Sequence, residues 1–165
     1  MAEGDGDGMR QRALTLGVVM QRRETRNRWQ SEAWEPWGVV TGLGGAAPPR
    51  LLVDRPGLQQ WLHTGFALAL HRDEAEGYYL NVSSDAPKVF VLWRMDGDQA
   101  VPVRLTASYN EASRWLDGGH SVDAVPMPPE VFAWTGEFVE ANYRPEPRRR
   151  VRPRSFMHPR DRDAP

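Results

Sequence analysis

Four histidines, His63, His71, His120 and His158, are the side chains best suited to exchanging protons near neutral pH, and their spacing is uninformative. No pair has the close helical spacing of a preformed metal site, and none has an obvious second ligand beside it. His120-Ser121-Val122-Asp123 sets an imidazole and a carboxylate three apart beside a glycine turn. That spacing is compatible with a general base, although an ordinary loop histidine explains it more simply. Asp73, Glu74 and Glu76 would suit a hard cation, and a solvated hairpin tip accounts for them better. There is no Gly-x-Ser-x-Gly elbow and no dinucleotide fingerprint. The run from Gly42 to Pro49 is no phosphate loop, because no lysine follows its glycines and no helix pattern opens after it. With no cysteine in the chain, thiolate nucleophiles, disulfides, iron–sulfur ligation and cysteine-based zinc sites are excluded. No catalytic residue, metal or cofactor is therefore expected.

The tryptophans carry more. Trp29, Trp34 and Trp37 fall within nine residues, after an apolar run from Leu14 to Met20 and a basic connector with Arg22, Arg23, Arg26 and Arg28. Tryptophan and arginine dominate interface hot spots, and guanidinium groups stack on indole rings. Trp34 and Trp37 point to opposite faces of an extended strand, so one of them is left for the surface. The simpler alternative is that the cluster closes one end of a sheet. On the interface reading, the partner-binding residues are Trp29, Trp34 and Trp37 with Arg23, Arg26 and Arg28. Trp93, Trp115 and Trp134 lie on apolar faces and are expected in the core.

The elements that would position these residues follow from periodicity. Leu14–Met20 reads as a strand, and Trp34–Thr41 as a second, with Pro36 arguing for an edge or a bulge. A short strand over Leu51–Val53 ends at Asp54-Arg55-Pro56-Gly57. Gln59–Thr64 and Phe66–His71 form one strand bent at Gly65. Tyr78–Ser83 alternates as a half-buried strand would, Val89–Trp93 is apolar on both faces, and Asp96-Gly97 signals a hairpin into Val101–Leu105. These four strands compose an antiparallel meander. Ser108-Tyr109-Asn110-Glu111 is a capping box opening a helix to Asp117, with Tyr109, Ala112 and Leu116 on its apolar face. It stops at Gly118-Gly119. Ser121–Val125 adds a last strand. Pro128-Pro129-Glu130 starts a helix to Asn142 whose stripe is Val131, Phe132, Trp134, Phe138 and Val139. The expected fold is α+β: an antiparallel, meander-rich bent sheet or partly closed barrel of six to seven strands, with two helices in the C-terminal half.

At 165 residues, 40% hydrophobic and 26% charged, the chain suits one globular domain. Residues 13–142 are its expected extent, flanked by disordered tails over 1–12 and 143–165. The net charge of −1 is unevenly spread, because the segment from Tyr143 onward holds eight arginines against Glu146, Asp161 and Asp163. An acidic body thus carries a basic tail. Phosphate binding, docking on an acidic partner and simple solvation are all open for that tail, and the acidic body argues against nucleic acid. Lys88 is the only lysine. No apolar run reaches a membrane span and no secretory leader is visible, so the expected location is cytoplasmic.

The opening apolar strand, the arginine-rich connector and Trp29…Trp34-Glu35-Pro36-Trp37 together resemble an uncharacterised proteobacterial family of unknown function, DUF3305. The resemblance continues through Trp61-Leu62-His63, Tyr78-Tyr79-Leu80-Asn81 and Val89-Phe90-Val91-Leu92-Trp93, and covers roughly residues 13–142. It is a pattern of apolar and tryptophan positions, and carries over no catalytic residue. It implies a setting, since such genes lie beside those for molybdenum-dependent formate dehydrogenase and its maturation factors. The expectation is a non-enzymatic accessory protein for assembly or maturation of that molybdoenzyme, whose partner is one of its subunits or maturation factors. Two alternatives are a small-molecule protein holding a pterin-type cofactor, and a hydrolase or transferase with a site near His120 and Asp123.

Overall fold

The computed structural model of the chain describes residues 13–145, so the tail expected over 1–12, and all of that expected over 143–165 except its first three residues, lie outside the described residues. Seven strands form two antiparallel sheets among them, with order β2-β1-β4-β3 and β6-β5-β7. The strands are β1 (Ala13–Glu24), β2 (Glu32–Val40), β3 (Arg50–Arg55), β4 (Leu58–Ala69), β5 (Lys88–Asp96), β6 (Gln99–Thr106) and β7 (Ser121–Pro126). Three α-helices interrupt them: α1 (Ala75–Val82), α2 (Tyr109–Asp117) and α3 (Pro129–Asn142). The fold is α+β, as the sequence implies, and neither sheet closes into a barrel. The sheets face one another, with β2 against β7 and β4 against β6, while α1 packs on α2 and α3.

Strand β1 is the spine of the first sheet. Its centre, Leu16 to Met20, is wholly buried, because it is hydrogen-bonded on both sides by β2 and β4. Pairing does not stop at Met20 but runs on to Arg22, Arg23 and Glu24. The expected connector is therefore partly strand, shortening the β1–β2 loop to residues 25–31. Pro36 behaves as expected on both counts. Strand β2 is a sheet edge, and the register slips where Val19 faces Gly38 and Met20 faces Pro36. Trp37, between those partners, is the extra residue of a β-bulge. In β4, Gly65 takes φ +87°, and a Cβ there would meet the Ala46 backbone at 2.6 Å. The bend needs glycine.

The segment expected as a strand over Tyr78–Ser83 is instead α1, and with it the continuous four-strand meander disappears. Six alternating residues did not separate the two periods, and tertiary contacts decide. In the helix Ala75, Tyr78 and Asn81 turn inward together. The Tyr78 hydroxyl accepts from the His71 amide at 2.9 Å. The Asn81 side chain clamps the entry of β5, accepting from Lys88 N at 2.9 Å and donating to Lys88 O at 2.7 Å and Ala107 O at 2.8 Å. The chain therefore crosses from the first sheet to the second through α1. The Asp96-Gly97 hairpin into β6 and the added strand β7 on β5 are present as expected.

Ser108 caps α2, accepting from Glu111 N at 3.0 Å. The reciprocal half of the expected capping box is replaced, since the Ser108 amide donates to Thr106 Oγ1 at 3.0 Å. Tyr109 and Leu116, expected on the apolar face of α2, are exposed, and only Ala112 is buried. Helix α3 starts at Pro129 and buries Val131, Thr135 and Val139, while Phe132 faces solvent against expectation. After α3, Tyr143 packs against Tyr79 with ring centroids 4.7 Å apart and the planes tilted by 34°.

Candidate functional site: the β1–β2 hairpin

The hairpin has a strapped stem and a bare tip. Along one face of the stem, Arg22 pairs with Glu32 and donates through Nη1 to Gln59 Oε1 at 2.6 Å. On the other face, Arg23 Nε donates to Glu35 Oε1 at 2.8 Å. Gln21 donates to the same carboxylate at 3.2 Å and accepts from Gln60 Nε2 at 2.6 Å. Exposed pairs of this kind each contribute only ~0–1 kcal/mol. Their effect here is positional, tying β2 through β1 to β4. Arg23, expected to meet a partner, is committed to Glu35.

At the tip, Thr25 N donates to Ser31 O at 3.0 Å and the Trp29 amide donates to Asn27 Oδ1 at 3.0 Å, closing a compact turn. The Trp29 ring is 90% exposed. Arg26 and Arg28 on either side of Asn27 are also exposed, and neither forms an ion pair among the described residues. Two cations and an indole thus project with no internal partner.

The remaining tryptophans of the cluster separate. Trp34 is half-buried and stacks on Trp61, with centroids 5.3 Å apart and an interplanar angle of 29°. Its indole Nε1 is buried and has no hydrogen-bond acceptor among the described residues. Trp37, lifted outward by the bulge, is 58% exposed. Of the six residues read as an interface, Trp29, Trp37, Arg26 and Arg28 are presented outward, while Trp34 and Arg23 belong to the scaffold.

Beneath the stem, where the sheets splay, lies a cleft of about 360 Å³ lined by Arg22, Glu32, Trp34, Gln59 and Trp61 from the first sheet and Asp98 and Gln99 from the second. Sequence reasoning missed this meeting of the β5–β6 turn with the indole pair. Only Gln59 and Trp61, two apart and so on one face of a strand, hinted at a wet aromatic face.

The other candidates do not converge. His120 and Asp123 are both exposed, and Asp123 Oδ2 accepts from Trp93 Nε1 at 2.7 Å. No hydrogen bond joins that histidine and carboxylate among the described residues. Glu74 is occupied by Ser108 Oγ at 2.5 Å and by Arg114. Among the described residues no group of three or more His, Asp or Glu side chains is placed to hold a metal ion. His63 is buried beside Val18, and burial pushes its pKa below the ordinary value. No described helix is long and apolar enough to cross a membrane.

Fold and surface define an α+β protein of two facing antiparallel sheets that displays an aromatic, basic hairpin. The family model for DUF3305, a protein family of unknown function, matches residues 15–152, and the chain belongs to that family. No curated protein and no solved structure matches it.

Proposed function

We propose that this chain is a non-enzymatic accessory protein that acts by protein–protein contact, with the β1–β2 hairpin as its docking element. One observation carries the reading: Trp29 and Trp37 are 90% and 58% exposed on a single hairpin whose stem is cross-linked by polar straps. Large exposed aromatics flanked by free arginines are the composition of interface hot spots, and a preorganised stem lowers the ordering cost of binding. The partner on this reading is a molybdenum-dependent formate dehydrogenase subunit or one of its maturation factors. The support for that identity is the gene setting that the family resemblance implies.

The test is affinity capture from the native host grown on formate with molybdate, comparing the wild type with a Trp29→Ala, Trp37→Ala double variant. Recovery of formate dehydrogenase subunits or maturation factors by the wild type and their loss with the folded variant is the expected result. Equal recovery by both, or recovery of none of these proteins, refutes it.

A second reading is favoured by the stacked Trp34–Trp61 pair. A planar polar heterocycle such as a pterin would lie against the indoles, with Asp98 and Gln99 available to its edge. Denaturing freshly purified protein and recording absorbance and mass of any released small molecule tests it. An empty supernatant counts against it.

A further inference from the structure

A second cleft, of about 370 Å³, opens between α1, the turn after it, the first residues of β5 and the start of α2. It shares no lining residue with the hairpin or the cleft beneath it. Its walls are apolar: Leu80 and Tyr109 stand 44% and 54% exposed, Ala86 and Phe90 complete them, and Phe90 meets Tyr109 edge-on at 6.2 Å. Asn81 also lines it, but its amide is fully used in clamping Lys88 and Ala107. That clamp fixes the main chain from which the Lys88 side chain departs.

Lys88 is the only lysine of the chain and the only charged residue lining this cleft. Among the described residues it has no ion pair, and Asp85 in the preceding turn is exposed and unpaired with it. One hydroxyl able to donate accompanies it, that of Tyr109, which has no partner among the described residues; Ser84 Oγ already gives its proton to Asn81 O at 2.6 Å. An ammonium and one phenolic hydroxyl above apolar walls complement a ligand with one anionic head and an apolar body. A cation would be repelled, and a neutral apolar molecule would desolvate the ammonium with no return. A lone ammonium is a point charge without the forked donors of an arginine, and so suits a singly charged head. We propose that this cleft binds a small monocarboxylate with an apolar body, its carboxylate on Lys88 and its body against Leu80, Phe90 and Tyr109. The site is independent of the hairpin, so it stands or falls apart from the docking reading.

The single lysine supplies its own probe. Reductive methylation with ¹³C-formaldehyde creates one dimethyl-lysine side-chain resonance, distinct from the N-terminal amine and still cationic. Decanoate is the probe ligand, with decanamide (no charge) and acetate (no body) as controls. The expected result is a saturable shift of the Lys88 resonance with decanoate, and binding at least about tenfold weaker for either control. By calorimetry, Lys88→Met weakens decanoate about tenfold. Leu80→Glu, at an exposed position that leaves the fold intact by circular dichroism, also weakens it. An unmoved Lys88 resonance, equal binding of decanoate and decanamide, or undiminished binding by Lys88→Met overturns the proposal.

Discussion

Trp34 and Trp37 are three residues apart on one strand, and the structure assigns them opposite roles that a stability measurement separates. Replacing Trp34 by alanine removes a half-buried indole, ~100–150 Å² of buried apolar surface, at ~25 cal/mol per Å². That is about 3 kcal/mol, with a further ~0.5–1.5 kcal/mol for the lost stack on Trp61. The buried Nε1–H has no acceptor among the described residues, so deleting it returns ~1–2 kcal/mol. The net cost is about 2–3 kcal/mol, which for a domain of this size lowers the Tm by ~5–10 °C. Trp29→Ala, at a ring 90% exposed, should stay within ~0.5 kcal/mol of the wild type. Trp37→Ala, partly resting on the bulge, should cost at most ~1 kcal/mol. Trp34→Phe, which keeps a ring against Trp61 and discards the unpaired donor, should lie nearer the wild type than Trp34→Ala. Urea denaturation followed by circular dichroism gives all four values on one scale. If Trp34→Ala is no more destabilising than Trp29→Ala, the division of the cluster into scaffold and display is wrong.

Gly77→Ala should be among the most destabilising single-atom additions, since the new Cβ would lie 2.1 Å from Ser108 Oγ. Ser108 is fully buried, so displacing it forfeits both the α2 cap and the bond to Glu74, about 3 kcal/mol together. Thermal melts should show partial recovery in Gly77→Ala, Ser108→Ala, and a Gly77→Ala melt close to wild type would refute the packing argument. His63 gives a pH signature. Its folded pKa is lowered from 6.5 by burial, so below that value the unfolded chain takes up a proton that the folded one refuses. Its contribution to stability is therefore whole above pH 6.5 and is lost as the pH falls. His63→Phe should flatten the stability profile between about pH 5 and 7, and an unchanged slope in denaturant titrations across that range would contradict it.

What the sequence conveys of this fold depends on how far each signal acts. Pro36, Gly65, Asp96-Gly97, Ser108 and Pro129 constrain their own backbone, so the edge, the bend, the hairpin and the two later helix starts were legible. Tyr78–Ser83 was not, because its inward residues are chosen by partners distant in sequence: His71 for Tyr78, and Lys88 and Ala107 for Asn81. The candidate site divides in the same way. That the cluster of Trp29, Trp34 and Trp37 would be special was visible in composition. Which ring is displayed depends on which face of β2 is covered, where Trp61 of β4 stacks on Trp34, and that cannot be read from residues 29–37 alone.

The register slip at Val19 and Met20 also bears on how the hairpin could serve as a docking element. Without it, strict alternation would place Trp34 and Trp37 on opposite faces of β2, one inward and one outward. The bulge keeps the sense of that division while freeing Trp37 from a cross-strand partner on β1. Meanwhile Arg22 and Arg23, on opposite faces of the neighbouring strand, are each claimed by a β2 carboxylate, Glu32 and Glu35. Within the hairpin, the positive charge left for an outside partner is thus carried by Arg26 and Arg28, beside the exposed Trp29. Binding energy from the indoles would be short-ranged and insensitive to salt, whereas steering by those two arginines would fade as the Debye length shrinks from ~10 Å at 0.1 M to ~3 Å at 1 M. A partner captured through this hairpin should therefore associate more slowly in high salt and yet, once bound, dissociate at nearly the same rate.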